Sequence, residues 1–439
     1  MSRLAVFLLF LLQLQLQLQL QHSSVVSAAN SGFGFTATLQ RADANMGYTE
    51  VERLGHAFKR SKARVAALQS LATAPPPTSS ITEARILVRA SAGEYLMDLG
   101  IGTPPRFFTA ILDTAHDLIW TQCASSHFDP AQSATYSPLP CSSPTCSGLE
   151  FPSCVNSMCE FDYFYVNSTK HAVLATETFT FGTNTTRVTV PSIAFACVDL
   201  TTTLLPGSGM VGFGRGSLSL VRQLGSPRFS YCLASSRSPT PSRLYFSEYA
   251  TLQSTNMSSG GGPVQSTPFL TDPERPSLYF LNMTGISVGG HRLPIDPSVF
   301  AMDKDYGFFS GVIIDTVATI THLVRPAYDA VRAAFVSQIK LPLLNVTSPD
   351  GMNTCFMWPP PPHKSVTLPQ LVFHFDGADM ELPFENYMMA DDRSGGLCLV
   401  MGPAGDVTVI GSFQQQNFHM LYDLKNSLLS FVPAPCNLV

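Results

Sequence analysis

Two stretches of this 439-residue chain nearly repeat one another, "FTAILDTA" at 108–115 and "SGVIIDTV" at 310–317. Each runs through apolar residues into an Asp-Thr pair, Asp113-Thr114 and Asp315-Thr316, with the aspartates 202 residues apart. An apolar-apolar-Gly element comes after each: "MVG" ends at Gly212, 99 residues past Asp113, and "VIG" ends at Gly411, 96 residues past Asp315. A motif pair recurring at this spacing predicts two lobes of similar size, each offering one carboxylate.

The lobes read as β. From about residue 90, short apolar and β-branched runs such as "RILVRA", "ETFTF", "RVTV", "LYFLNMTGISV", "LVFHF" and "LLSFV" alternate with Gly, Pro and Ser, the pattern of an all-β, largely antiparallel protein. One amphipathic helix is predicted over 325–339, with Pro326 suited to a first helical position. "STNMSSGGGP" at 254–263 reads as the lobe boundary. A hydrophobic content of 45% against 13% charged residues argues against disorder. A net charge of −5 without a dominant basic stripe in the body of the chain argues against a nucleic-acid partner. "GFGRGS" at 212–217 lacks the ending and spacing of a nucleotide loop, and the histidines lack metal-ligand spacing, so neither a cofactor nor a metal is expected. No GxSxG element is present.

Residues 1–29 read as a secretory signal: Arg3, the apolar run "LAVFLLFLL", and small residues before a cleavage point near Ala28 or Ala29. The intervening "QLQLQLQLQ" alternates as a strand would, but lies inside that signal. Residues 30–90 are placed as propeptide and linker, of which 30–73 differ in character from the two lobes. They hold no cysteine and carry the basic cluster "HAFKRSKARVAALQSL" at 56–71, with Phe58, Val65, Leu68 and Leu71 at helical spacing. A solvated amphipathic helix fits that pattern; a propeptide whose Lys and Arg cover an acidic cleft fits it and the position behind a signal. "APPPTSS" at 74–80 reads as an exposed linker. The lobes are placed at 91–262 and 263–439. All ten cysteines lie after residue 120, and five sequons open at Asn167, Asn184, Asn256, Asn282 and Asn345. Both features suit a secreted, disulfide-bonded glycoprotein, destined for extracellular space, cell wall or vacuole. No later segment is long and apolar enough for a membrane anchor, and a monomer is expected.

Two carboxylates held together share a proton, so one serves as base and the other as acid. The base takes a proton from water attacking a peptide carbonyl, and the acid polarises that carbonyl. At this point the chain resembles the pepsin-like aspartic endopeptidases of the plant nepenthesin-like branch. The resemblance runs from about residue 31 to the C-terminus, on "GEYLMDLGIGTPP" (93–105), "DLIWTQC" (117–123), "GMVGFGRGSLSL" (209–220), "RFSYCL" (228–233), "VIIDT" (312–316) and "VIGSFQQQNFHMLYDL" (409–424). It implies a bilobal pepsin-like aspartic protease fold with a cleft between the lobes, catalytic Asp113 and Asp315, supporting Thr114 and Thr316, and a flap tyrosine at Tyr165. It also implies a polypeptide in the cleft, acid working pH, and the disulfides Cys123–Cys197, Cys141–Cys159, Cys146–Cys154, Cys232–Cys436 and Cys355–Cys398.

The departures fall where the chemistry is. The family pattern places Gly and then Ser or Thr after each Asp-Thr; here Ala115-His116 and Val317-Ala318 stand instead. Glycine serves where backbone approaches closely or takes φ > 0, and stiff Val317 is expected to be the harder replacement. Two hydroxyl donors are lost, and His116 is a substitute donor to Asp113 or a solvent-facing side chain. The flap stretch "YFYVNSTKHA" (163–172) carries Val166 and Ser168 in place of glycines, with a sequon at Asn167. Two functions are compatible with these residues: a secreted aspartic endopeptidase made as a zymogen, or a catalytically impaired protease-like binding or inhibitory module.

Overall fold

The computed structural model describes residues 34–42, 47–70, 94–123, 128–149, 152–165, 168–182, 187–199, 208–235, 238–252, 262–302, 309–344, 354–359, 366–391 and 395–438. The signal stretch, the Pro-rich linker and sequons Asn167, Asn184, Asn256 and Asn345 lie outside them, as does most of the 254–263 boundary segment. Asn282 is described and exposed.

The architecture is β in two lobes, and each half of the repeat builds the same unit. In the first lobe, β2 (Tyr95–Ile101) turns back antiparallel onto β3 (Arg106–Asp113), which runs parallel to the strand Gly209–Gly212 with Asp113 beside Gly212. In the second, Gly311–Ile314 runs parallel to Val407–Ile410, and Asp315 N–H donates to the Ile410 carbonyl at 3.0 Å. The glycine ending each "MVG" or "VIG" has no room for a side chain. A Cβ on Gly212 would lie 2.3 Å from the Asp117 backbone, and one on Gly411 2.6 Å from the Ala318 carbonyl oxygen. The two chain segments therefore cross at backbone contact just behind each aspartate.

A seven-stranded platform joins the lobes. Its order is β2, β1 (Thr36–Arg41), Ser242–Phe246, Arg228–Cys232, Phe418–Asp423, Leu428–Pro433 and Gln265–Leu270. Arg228–Cys232 of the first lobe pairs antiparallel with Phe418–Asp423 of the second, where Phe229 stacks on Tyr422 at 4.6 Å between centroids. The Cys232–Cys436 bridge closes the same junction. The predicted C-lobe helix is found at Arg325–Gln338, burying Ala327, Tyr328, Val331 and Phe335.

The basic cluster forms α1 (Glu50–Ser70). Thr49 and Glu52 cap it reciprocally: Thr49 Oγ1 accepts from Glu52 N–H at 3.2 Å, and the Glu52 carboxylate accepts from Thr49 N–H at 2.8 Å. Leu54, Phe58, Val65 and Leu68 are buried at helical spacing, and so are Arg60, Ser61 and Arg64 on the same side. α1 lies against the strands Thr321–Val324, Met401–Ala404 and Val407–Ile410.

Cys123–Cys197, Cys232–Cys436 and Cys355–Cys398 pair as expected. The nested pairing Cys141–Cys159 and Cys146–Cys154 does not occur; the bridges cross, as Cys141–Cys154 and Cys146–Cys159. Burial sorts them. The short helix Pro144–Ser147 turns Cys146 inward, where it and Cys159 join Phe161, Leu174 and Trp120 in an apolar cluster. Cys154 sits across the hairpin from Cys159 on its exposed strand, and Cys141 is hydrogen-bonded to the turn at Ser157. Both bridges span 13 residues, so loop entropy gives each about 3 kcal/mol and cannot separate them. Cys146→Ser/Cys159→Ser is expected to lower the urea midpoint more than Cys141→Ser/Cys154→Ser, since only the first disrupts packed core. A non-reduced peptide map finding Cys141 linked to Cys159 would refute the crossed assignment.

Candidate active site

The repeat brings Asp113 and Asp315 to a common point between the lobes, both wholly buried. Each aspartate is held by the backbone just after it. Ala115 N–H donates to Asp113 Oδ1 at 2.8 Å; Val317 and Ala318 N–H donate to Asp315 Oδ1 and Oδ2 at 3.1 and 3.0 Å. The threonines cross between lobes almost symmetrically. Thr114 N–H donates to Thr316 Oγ1 at 3.2 Å, and Thr316 N–H to Thr114 Oγ1 at 3.1 Å. Thr316 Oγ1 in turn donates to the Leu112 carbonyl at 2.8 Å.

The replaced glycines are absorbed by packing. Neither Ala115 nor Val317 adopts positive φ, so the strain anticipated at Val317 is absent from its backbone. Val317 packs with Leu96, Ile111, Trp120 and Met210 of the first lobe, whereas Ala115 packs with Leu278, Phe280 and Ile313 of the second. Each substitution thus extends apolar contact across the lobe boundary.

α1 fills the remaining space. Arg64 places Nη2 2.7 Å from Asp113 Oδ1 and Nε 3.0 Å from Asp315 Oδ2, with its own side chain 3% exposed. One guanidinium fork therefore spans both carboxylates. Burial pushes the Asp113 carboxyl up, but Arg64, His116 and the Ala115 N–H together hold it down to about 2. Arg60 pairs with buried Glu94 at 2.9 Å, and Ser61 Oγ accepts from Ile320 N–H at 2.8 Å. On the strand Thr321–Val324 beneath the helix, His322 is 2% exposed, with its ring edge-on to Phe58 of α1 at 6.1 Å. His116, a quarter exposed, sets Nδ1 2.9 Å from Asp113 Oδ2 and 3.2 Å from Arg64 Nη1; the solvent-facing alternative does not occur.

Tyr165 ends the strand Met158–Tyr165 and pairs with Ser168 at the mouth of a hairpin; its side chain and Asn167 lie outside the described residues.

The buried supports of the dyad had no evident sequence signal beyond their place in a shared motif. Gln415 donates from Nε2 to the Asp315 and Ile410 carbonyls at 3.0 and 3.1 Å, and its Oε1 accepts from Tyr231 OH, itself 2.8 Å from Tyr422 OH. Asp117 binds Gly216 N–H at 2.9 Å and the Ser277 hydroxyl, tying the first-lobe turn to the second lobe. Gln415→Leu leaves two buried carbonyls and a tyrosine hydroxyl short of a partner. It is expected to cost on the order of 2 kcal/mol or more, read as a lowered urea midpoint, while Gln→Leu at exposed Gln132 leaves that midpoint unchanged.

Comparison with known proteins agrees with this geometry. Residues 95–247 match the family described as xylanase inhibitor N-terminal, and residues 278–433 match xylanase inhibitor C-terminal. The chain is 38% identical to aspartic proteinase nepenthesin-1 of Nepenthes gracilis over 92% of its own length and 90% of that protein's. It is 36% identical to nepenthesin-2 of the same plant, and 34% identical to aspartyl protease 37 of Oryza sativa subsp. japonica over 88% of this chain and 90% of that one. Among solved structures, edgp superposes with a TM-score of 0.64 at 20% identity, covering 77% of this chain and 91% of that one. Basic 7S globulin from soybean gives 0.60 at 20% identity, over 77% and 92%. At that identity the solved structures speak for the fold alone, whereas the curated relatives carry the family: the chain belongs to the plant nepenthesin-like branch of the pepsin-like aspartic endopeptidases.

Proposed function

We propose that this protein is a secreted aspartic endopeptidase, made as a zymogen in which α1 blocks the cleft and activated at acid pH. The observation that carries the reading is the convergence of Asp113 and Asp315 on the single guanidinium of Arg64. Buried carboxylates fixed in place by backbone donors suit a shared-proton pair. With Arg64 withdrawn, the ionised member takes a proton from water as its oxygen bonds to the peptide carbonyl carbon. The protonated member gives its proton to the carbonyl oxygen. Collapse of the resulting diol breaks the C–N bond: the nitrogen takes the proton held by the first carboxylate, and one diol hydroxyl returns its proton to the second as the new carbonyl forms. The pair titrates as a unit.

The test is cleavage of a denatured protein between about pH 2.5 and 6 by the acid-treated chain, with and without a transition-state-mimic inhibitor. Inhibitable cleavage is expected, falling at least about a hundredfold in Asp113→Asn. A silent native chain beside an active Ala115→Gly/His116→Ser/Val317→Gly/Ala318→Thr variant would mean that the scaffold is sound and the chemistry lost.

Acid release of α1 has a worked sign. Burial pushes the His322 imidazole from 6.5 down to about 4, Lys62 of α1 adding to this and the Ile320 carbonyl opposing it. Uncovered, the ring binds a proton more readily, so the covered form is favoured while the ring is neutral and loses ground as pH falls from 6.5 towards 4. Asp113 acts lower: its gain from Arg64 is present above 3.8 and is lost as pH falls towards 2. Hydrogen-exchange protection of residues 50–70, corrected for intrinsic rates, is expected to weaken in the upper window and vanish in the lower. His322→Asn, which keeps a donor for the Ile320 carbonyl, is expected to remove the upper phase only. Persistence of both phases unchanged in that variant would exclude His322 from the release.

A further inference from the structure

We infer that His116 is a positioning residue that succeeds Arg64 as the cationic partner of Asp113 once α1 leaves the cleft. The inference rests on the reading of α1 as a removable cover. With both carboxylates ionised, Asp113, Asp315 and Arg64 together carry one more negative than positive charge in a buried place, and an isolated buried charge is strongly disfavoured. A proton on His116 cancels that excess.

The imidazole is placed for the exchange. Its Nδ1 lies 2.9 Å from Asp113 Oδ2 and 3.2 Å from Arg64 Nη1. Arg64 can only donate, so Nδ1 cannot at once accept from Arg64 and donate to Asp113. Bare, it joins the Arg64 clamp; carrying a proton, it binds Asp113 and stands as a like charge against Arg64. Three charged groups bear on this choice: Arg64 from α1, Asp113 from β3, and Asp315 of the second lobe, through the guanidinium they share. Asp117, next in the chain, is engaged by Gly216 and Ser277.

The backbone that carries the ring is anchored independently of α1. The His116 carbonyl accepts from Gly214 N–H at 2.7 Å, and this segment is wedged against Gly212. When Arg64 withdraws, Asp113 therefore retains the Ala115 N–H on Oδ1 and gains an undisputed His116 N–H on Oδ2. Protonated His116 then favours the ionised form of Asp113, which assigns the base role to Asp113 and leaves the shared proton on Asp315. A hydroxyl donor in this position would supply a hydrogen bond without the charge.

The test reads the imidazolium fraction of His116 by NMR at a fixed pH near 6, using histidine-labelled full-length chain, in native protein, Arg64→Ala and Asp113→Asn. At least about tenfold tighter proton binding than in the native chain is expected in Arg64→Ala, from loss of a like charge at hydrogen-bond distance. Weaker binding than in the native chain is expected in Asp113→Asn. Equal fractions in native and Arg64→Ala protein would overturn the inference. If Arg64→Ala fails to fold, Arg64→Gln removes the charge while keeping a polar head, and the same comparison decides. In the cleavage assay, His116→Asn and His116→Ser are both expected to narrow the active range from its acid side, where Asp113 must stay ionised, whereas a merely structural role would let Asn restore the native profile. Absence of cleavage in every variant would sink the endopeptidase reading and leave the NMR result standing. Cleavage with no response of His116 to Arg64 would sink the succession alone.

Discussion

Two buried carboxylates converging on one guanidinium are the constraint around which this molecule is built. Unassisted, such a pair is strongly unfavourable: each charge loses its water and repels its neighbour through a poorly screening interior. Every nearby element supplies some compensation. Ala115, Val317 and Ala318 turn their N–H groups onto the carboxylates, and Arg64 reaches both from outside the lobes. The threonine crossing holds the two halves together at the level of the backbone. Gln415 ties the chain behind Asp315 to Tyr231 of the joining platform. The dyad is thereby supported from the same sheet that connects the lobes.

The residues that break the family pattern are informative in this light. Glycine after Asp-Thr leaves the backbone free, yet what the aspartate uses is the N–H that every residue but proline carries. Ala115 and Val317 still donate it. Their side chains enter the apolar clusters of the opposite lobes, so the substitutions exchange conformational freedom for contact across the boundary. The change at His116 is of another kind, because it replaces a neutral donor with a group whose charge depends on pH.

Much of this was legible in the chain, for identifiable reasons. The aspartates, the threonines and the glycines beyond them announce themselves because backbone crossing restricts those positions twice over, 202 residues apart for the Asp-Thr pairs. The basic helix was visible from its period, but Arg60 and Arg64 were not separable from Lys59, Lys62 and Arg53 by spacing alone. Their assignment needs the positions of Glu94, Asp113 and Asp315 in three dimensions. The crossed disulfides are not legible for a similar reason: four cysteines within 19 residues all satisfy loop-closure requirements, and only the inward turn of Cys146 distinguishes partners. Gln415 lay unmarked within "QQQ" because its role is set by which carbonyls point at it.

The helix and the dyad also explain one another. Arg64 is 3% exposed and Arg60 7%, a depth at which a long cationic side chain is stable only with partners. Removed from the cleft, α1 would be an amphipathic helix with two arginines and Phe58 facing water. Left without α1, the aspartates must take up a proton or find another cation. The covered form is thus a mutual solution to two unfavourable exposures, and protonation weakens both sides of it. A proton on either aspartate removes the anion that Arg64 answers. On the zymogen reading proposed above, that coupling makes acidity a direct term in the equilibrium between covered and open cleft, with His322 beneath Phe58 contributing at milder pH than the carboxylates.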